Sequence, residues 1–474
     1  MKSLDLTVPG PRISGSRHHA WLAEARELLR LGLPLAATQL AQMIILATDT
    51  LMLGHFSKDA LAAAALGNTL FFLAWLLGSG LPMAVSPVIA HIQGQHAGGA
   101  KARDHRQVRV AVRMGLWSVA LATPPLLVFL LYTRVILLFF GQEPRLAADA
   151  ARFIAAIAFG LPFALGFMVL RSFSTALSRA VPPLIVMALA VLFNALCDYA
   201  LIFGHFGLPR LGLVGAGLAS ASSNLFSFVV MLAIALWTPG LRPYRILHRL
   251  AHPHGRTLME LFRLGLPIGM TMVFEVSLFN GATLAMGVFG VASIAAHQIA
   301  ITIPSLTFMV PLGIGLAATV RVGLAAGAGD AKAARHAGFT AIGLGGLFMC
   351  ATAILLLLFP RAIATLWLPD IADNRDVLAL AVSFLHIAAA FQLVDGLQVT
   401  ASLSLRGLKD SHMPMWLAGA SYWLAGAPMC LLLGFGFGLK GFGIWLGLAF
   451  GLFVAAVLLT TRFVLLSKRP IPVQ

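Results

Sequence analysis

The sequence predicts an all-α polytopic membrane protein, with 12 transmembrane helices in two six-helix bundles related by a pseudo-two-fold axis along the membrane normal. Three observations predict it. The chain of 474 residues is 59% hydrophobic and only 11% charged, with a mean hydropathy of +0.91. That is too little charge to wet the surface of a soluble protein of this size. The apolar residues gather into continuous runs long enough to cross a bilayer, without the alternation of barrel strands. The second half of the chain repeats the first.

Taken in order, the runs cover residues 29–54, 61–91, 107–139, 147–170, 181–204, 213–237, 258–287, 291–323, 335–359, 377–405, 412–435 and 441–466. The net charge of +16 does not point to nucleic acid, because Lys and Arg fall between the runs or near their ends. Assigned to the nearer end of a span, 25 of the 33 basic residues belong to the side of the two termini and the connections after even-numbered runs, and 8 to the other side. That bias places both termini in the cytoplasm. Residues 1–28 read as a cytoplasmic segment, 29–237 as the first bundle, 238–257 as a basic cytoplasmic linker, 258–466 as the second bundle and 467–474 as a tail. No cleavable signal peptide is visible, so the first run is a retained span.

The repeat sets the symmetry. At an offset of 233, Leu31-Gly32-Leu33-Pro34 falls on Leu264-Gly265-Leu266-Pro267, Thr50-Leu51 on Thr283-Leu284, Gly80 on Gly313 and Gly94 on Gly327. Later, Gly212 to Gly217 echoes Gly438 to Gly443. Six spans per half make both halves enter the membrane in the same direction, the arrangement of parallel transporter repeats with substrate bound between them.

Polar side chains within the runs are the candidate functional residues, since an acid in a span faces protein, water or an ion rather than lipid. Glu275 sits near the middle of the seventh run. Asp49 lies in the outer part of the first, with Gln42 two turns earlier on the same face. The repeat puts Glu275 at the place of Gln42 and Ala282 at that of Asp49. Asn194 and Asp198 share a face of the fifth run, and Ser220 opens the sixth. Asp49, Asn194, Asp198 and Ser220 would suffice to bind a proton or a small cation through oxygen. Asp395 in the tenth run, flanked by Gln392 and Gln398, would give the second half a pair of acids with Glu275. No Lys or Arg lies mid-span in the runs of Asp49, Glu275 or Asp395, so no ion pair is expected there. His297 is a possible proton carrier or a packing residue, and Gln298 follows it. Phe274, Phe279, Met286 and Met309 are candidates for a cleft tolerant of many shapes, each with plain packing as the alternative.

No spacing suits a structural metal, and Cys197, Cys350 and Cys430 read as buried thiols. HExxH, GxSxG and Walker A motifs are all absent from the sequence, which counts against an enzyme or an ATP-driven pump.

From Leu31 to about Arg462, the ordered motifs LGLP, Q…TDTLMLG, FEVSLF, AAHQIAI, FQLVDGLQ and LRGLKD resemble the multidrug and toxic compound extrusion transporters, in the branch typified by bacterial NorM proteins. The resemblance implies a V-shaped cleft between the bundles. It implies export of organic cations and other amphipathic drugs in exchange for inward H+ or Na+, with no cofactor and a monomeric assembly. Functional acids carry over to Asp49, Glu275 and Asp395, and a monovalent cation site to Asp49, Asn194, Asp198 and Ser220, or to Glu275 with Asp395. Relatives more often have threonine at Ser220, and those with sodium in the second bundle often have tyrosine where this chain has Phe391. The alternative within the same superfamily is a flippase for a lipid-linked precursor, which calls for a basic cavity.

Overall fold

The computed structural model describes residues 17–96, 101–368 and 374–470. Among them the chain is helical, with no strand. Eleven single helices are long and apolar enough to span a bilayer: α1 (Arg17–Phe56), α2 (Lys58–Gln95), α3 (Lys101–Leu131), α5 (Val181–Phe203), α6 (Leu213–Trp237), α7 (Gly255–Val288), α8 (Val291–Gly327), α9 (Ala331–Leu358), α10 (Arg375–Gly407), α11 (His412–Gly436) and α12 (Lys440–Leu466). The twelfth, α4, is a pair, Pro144–Ala158 and Leu161–Ala176, bent by 43° at Phe159-Gly160. Each of the twelve apolar runs is thus one span. The third run ends in a separate short helix, Thr133–Phe139.

Local chemistry sets several ends. Ser57 caps α2 by accepting from the Ala60 amide at 3.4 Å, and Asp330 caps α9 by accepting from Ala333 at 2.9 Å. Gly204 ends α5 in the left-handed region at φ 80°. Pro34 and Pro267 sit inside α1 and α7 at equivalent places. Thr38 and Thr271, also equivalent, each donate to that proline's carbonyl at 2.8 Å.

The halves meet by crossing the repeat. α1 packs on α8 and α2 on α7. A Cβ on Gly32 would stand 3.0 Å from Ile314 Cα, beside Gly313, and one on Gly80 would run into the Gly265 carbonyl. Exchanging each residue for its repeat equivalent turns the first contact into the second, as a two-fold axis requires. Gly94 and Gly327, equivalent to each other, meet across the interface, where small residues let spans approach closely. All these glycines lie toward the ends of the spans that carry the chain termini.

The same side carries an ion pair between halves. Arg321 of α8 donates to both Glu24 oxygens, at 2.8 and 2.5 Å, with both side chains buried. Trp21 meets His336 edge-on at 4.1 Å. The helix of α1 therefore begins well before the apolar run at residue 29, because its first turns dock on α8 and α9.

The thiol expectation holds only for Cys430, which donates to Ile444 O at 3.3 Å. Cys197 is half-buried and Cys350 is exposed. In a bilayer an apolar surface can face lipid, so an apolar run does not imply burial within protein.

Two outcomes follow from this interface. Gly94→Leu forces side-chain bulk between two backbones, which costs about 1–3 kcal/mol. It should lower cross-linking between cysteines placed at Ser79 and Met272, whose side chains touch at 3.7 Å across the halves. Arg321→Met should destabilise the purified protein by about 3 kcal/mol in equilibrium unfolding by stranding Glu24. The Glu24→Met, Arg321→Met double variant should regain most of that loss.

Candidate functional site

Two polar clusters lie inside the spans, one per half. In the first half, Ser220 of α6 donates to Asp49 Oδ2 at 2.6 Å. Asn194 and Asp198 of α5 stand beside the same carboxyl. All four residues are buried, and Asn194 and Asp198 have no measurable exposure. Asp49 Oδ1 and all four side-chain N and O atoms of Asn194 and Asp198 make no hydrogen bond. Buried polar groups in native proteins almost always have partners. Two facing carboxyl groups with an amide and a hydroxyl present oxygen-rich coordination and no resident positive charge. Such a cluster can hold a proton between its acids or a small cation among its oxygens. The four residues singled out from the sequence thus form one site, built by packing α5 on α1 and α6.

In the second half, Gln398 of α10 donates from Nε2 to Glu275 Oε1 at 3.0 Å. Asp395, one turn earlier and buried, lies beside both Gln398 and Glu275, and its Oδ1 has no partner. The pair of acids expected from the sequence is present, bridged by an amide. Tyr422 and Arg406 complete the cluster. Tyr422 is 1% exposed and comes from a π-helical stretch of α11, Ala420–Gly426. Such insertions are frequent at functional sites because they re-aim side chains. Trp423 next to it donates to Ser277 Oγ at 3.2 Å and ties α11 to α7.

Arg406, which the apolar runs leave out, brings a positive charge toward Glu275 without an ion pair to either acid among the described residues. It follows the tenth apolar run and so reads as a loop residue, but α10 continues to Gly407 and carries it inward to where its charge acts on Glu275. Tyr422 carries no sequence signal beyond being a polar atom in a run.

The remaining candidates separate. Buried His297 meets Thr283 Oγ1 through Nε2 at 3.0 Å, while Thr283 donates its proton to Phe279 O at 3.1 Å. Nε2 is therefore the donor, and Nδ1 is left without a partner. The ring packs edge-on to Trp445 at 5.5 Å. Gln298 is exposed and Gln42 half-buried, and neither side chain makes a hydrogen bond among the described residues. Phe391 is buried between Phe279 and Trp445, 5.9 Å from each. Met286 is fully buried in the core of the second half, so it packs. Gln392 accepts from Thr352 at 2.5 Å and joins α10 to α9.

One family model, MatE, matches this chain twice, over residues 34–200 and 267–432. The chain belongs to the MATE family. Membership places it among transporters rather than enzymes. The two matches begin 233 residues apart, which is the offset of the internal repeat. A probable multidrug resistance protein NorM of Brucella suis is 43% identical over 449 residues, covering 94% of each chain. A protein of the same name from Mesorhizobium japonicum is 42% identical, again over 94% of each. Among solved structures, the eukaryotic MATE transporter AtDTX14 superposes with a TM-score of 0.82 over 94% of this chain and 96% of its own, at 23% identity, and so shares the fold.

Ser220→Ala removes the single hydrogen bond to Asp49. A bond to a charged group contributes about 1.5–3 kcal/mol, so gradient-driven efflux should fall roughly tenfold or more. Ser220→Thr keeps the hydroxyl and should retain efflux near the parent level in the same vesicles.

Proposed function

We propose that this MATE protein is a multidrug efflux transporter that exports organic cations and amphipathic drugs in antiport with H+ or Na+. The observation that carries the reading is the buried Asp49, Asp198 pair with Asn194 and Ser220, in which Asp49 Oδ1 and the side-chain N and O atoms of Asn194 and Asp198 lack partners and no ion pair is made among the described residues. An inward-moving cation gains about 2.3 kcal/mol per 100 mV of membrane potential. Binding it at Asp49, or at Glu275 with Asp395, favours one arrangement of the halves, and its release favours the other. The NorM names of the relatives support the drug cargo.

The halves act as bundles of residues 29–237 and 258–466 joined by the 238–257 linker, in a bacterial inner membrane with both termini cytoplasmic. Tight packing at the termini side, through Gly32, Gly80, Gly94 and the Glu24–Arg321 pair, then makes the described arrangement closed to the cytoplasm. The protein functions as a monomer, with lipid and drug as its partners. The flippase alternative needs a basic cavity that admits a phosphate headgroup. The cavity that two arginines line here, Arg171 and Arg406, is only about 30 Å³ in volume, so the drug exporter is preferred.

Proteoliposomes with a pH gradient and a sodium gradient imposed separately test the reading. At least one gradient should drive efflux of a cationic dye, and Asp49→Asn and Glu275→Gln should each abolish it. Efflux without either gradient, or two fully active variants, would overturn the antiporter.

A further inference from the structure

Where the halves close on each other they leave a cavity of about 30 Å³. Three pairs of its lining residues are equivalent in the two halves. Met83 faces it with Leu316, and Ser86 with Thr319, each pair separated by the repeat offset of 233. Arg171 faces it with Arg406, and each arginine follows a leucine near the end of its span, α4 or α10. The cavity therefore sits on the pseudo-two-fold axis, with one guanidinium from each half.

The charge there is not balanced by the protein. Arginine stays ionised in protein interiors. Arg171 is 6% exposed, and its hydrogen bond is from Nη1 to Gln39 Oε1 at 2.6 Å, a neutral partner. Arg406 makes no side-chain hydrogen bond among the described residues, and the carboxylate acting on it is that of Glu275. No carboxylate lines the cavity. Two guanidinium groups, the buried Arg171 and the half-buried Arg406, thus line the space with no carboxylate among the lining residues, and an anion there would lie beside two positive charges. Ser86 and Ser172, which also reach the cavity, make no side-chain hydrogen bonds and keep their hydroxyl protons for an occupant. About 10–15 Å³ is enough to hold one water. The space therefore takes one or two particles of that size and excludes phosphate, sulfate and lipid headgroups.

We propose that this axial cavity binds one small monovalent inorganic anion of the chloride type, held between Arg171 and Arg406 with the Ser86 and Ser172 hydroxyls as donors, and that the bound anion ties the two halves together on the termini side. The anion supplies the negative charge that the lining lacks. Because Arg171 belongs to the first half and Arg406 to the second, separating the halves takes the site apart. Binding and closure are thereby linked: an anion that binds the closed form alone stabilises it by mass action. The inference does not depend on which drug or coupling ion the protein carries.

Two measurements on the purified full-length protein test it. Crystals grown in sodium bromide should show an anomalous peak in the cavity, in contact with both guanidinium groups. The Tm of the protein in lipid nanodiscs, at constant ionic strength, should rise saturably as gluconate is replaced by chloride. Arg171→Gln and Arg406→Gln should each shift the half-saturating chloride concentration about tenfold or more, the equivalent of one charge-assisted hydrogen bond. Should either arginine variant fail to fold, Ser86→Ala and Ser172→Ala leave the charges in place. These should weaken the chloride dependence while leaving the Tm in gluconate unchanged. Absence of bromide from the cavity, or a chloride dependence that survives unaltered in the folded variants, would overturn the proposal and leave the cavity to water.

Discussion

An ionised carboxylate enclosed by membrane-spanning helices has to be matched by a positive charge, a proton or a bound cation, because water is not there to solvate it. The functional core of this protein is organised by that constraint, and the two halves meet it differently. The first half places Asp49 and Asp198 together with only Ser220 and Asn194 for company. Nothing positive belongs to that cluster, so its neutral state has to be completed from outside the protein. The second half places Glu275 and Asp395 within one cluster but supplies Gln398, Tyr422 and the charge of Arg406. Its electrostatic demand is partly met from within. A cation arriving from outside is therefore in greater demand at Asp49 than at Glu275, even though both acids are carried by the first helix of their half.

The fold was legible because the bilayer dictates it. Span length and hydropathy are imposed by the hydrocarbon core, so twelve apolar runs became twelve spans with ends displaced by a few residues. Where the structure departs, tertiary packing is the cause. α1 runs back to Arg17 because Glu24 and Trp21 find partners on α8 and α9. α4 bends at Phe159-Gly160 with Pro162 starting the second segment, a feature that a hydropathy average passes over. The π-helical turns of α11 preserve its length and hydropathy and change only where its side chains point.

The candidate site was legible where a charge interrupted an apolar run, and illegible where the run had already ended. Asp49, Asn194, Asp198, Glu275 and Asp395 announced themselves by their cost. Arg171 and Arg406 stand just beyond the limits of the fourth and tenth runs, where a basic residue is explained by orientation alone. Arg171 is buried and Arg406 half-buried because α4 and α10 continue as helices past the ends of those runs. His297 shows the converse error. It interrupts an apolar run as conspicuously as the acids do, yet it is neutral when donating from Nε2 alone. Packing against Trp445 and a hydroxyl partner is enough to keep it there.

The repeat also separates what must be symmetric from what must not be. Gly32 on Gly313 and Gly265 on Gly80 are one contact made twice, and the axial cavity is lined by three equivalent pairs. Two bodies that rock about an axis benefit from this, because contacts on the two sides of the axis then tighten and loosen together. The acids break the symmetry: Gln42 stands where the second half has Glu275, and Ala282 where the first has Asp49. Had each half kept the same acid at the same depth, both would have set the same demand for a balancing positive charge. Displacing one acid by two helical turns makes the two clusters chemically unequal while the glycine contacts between the halves stay symmetric.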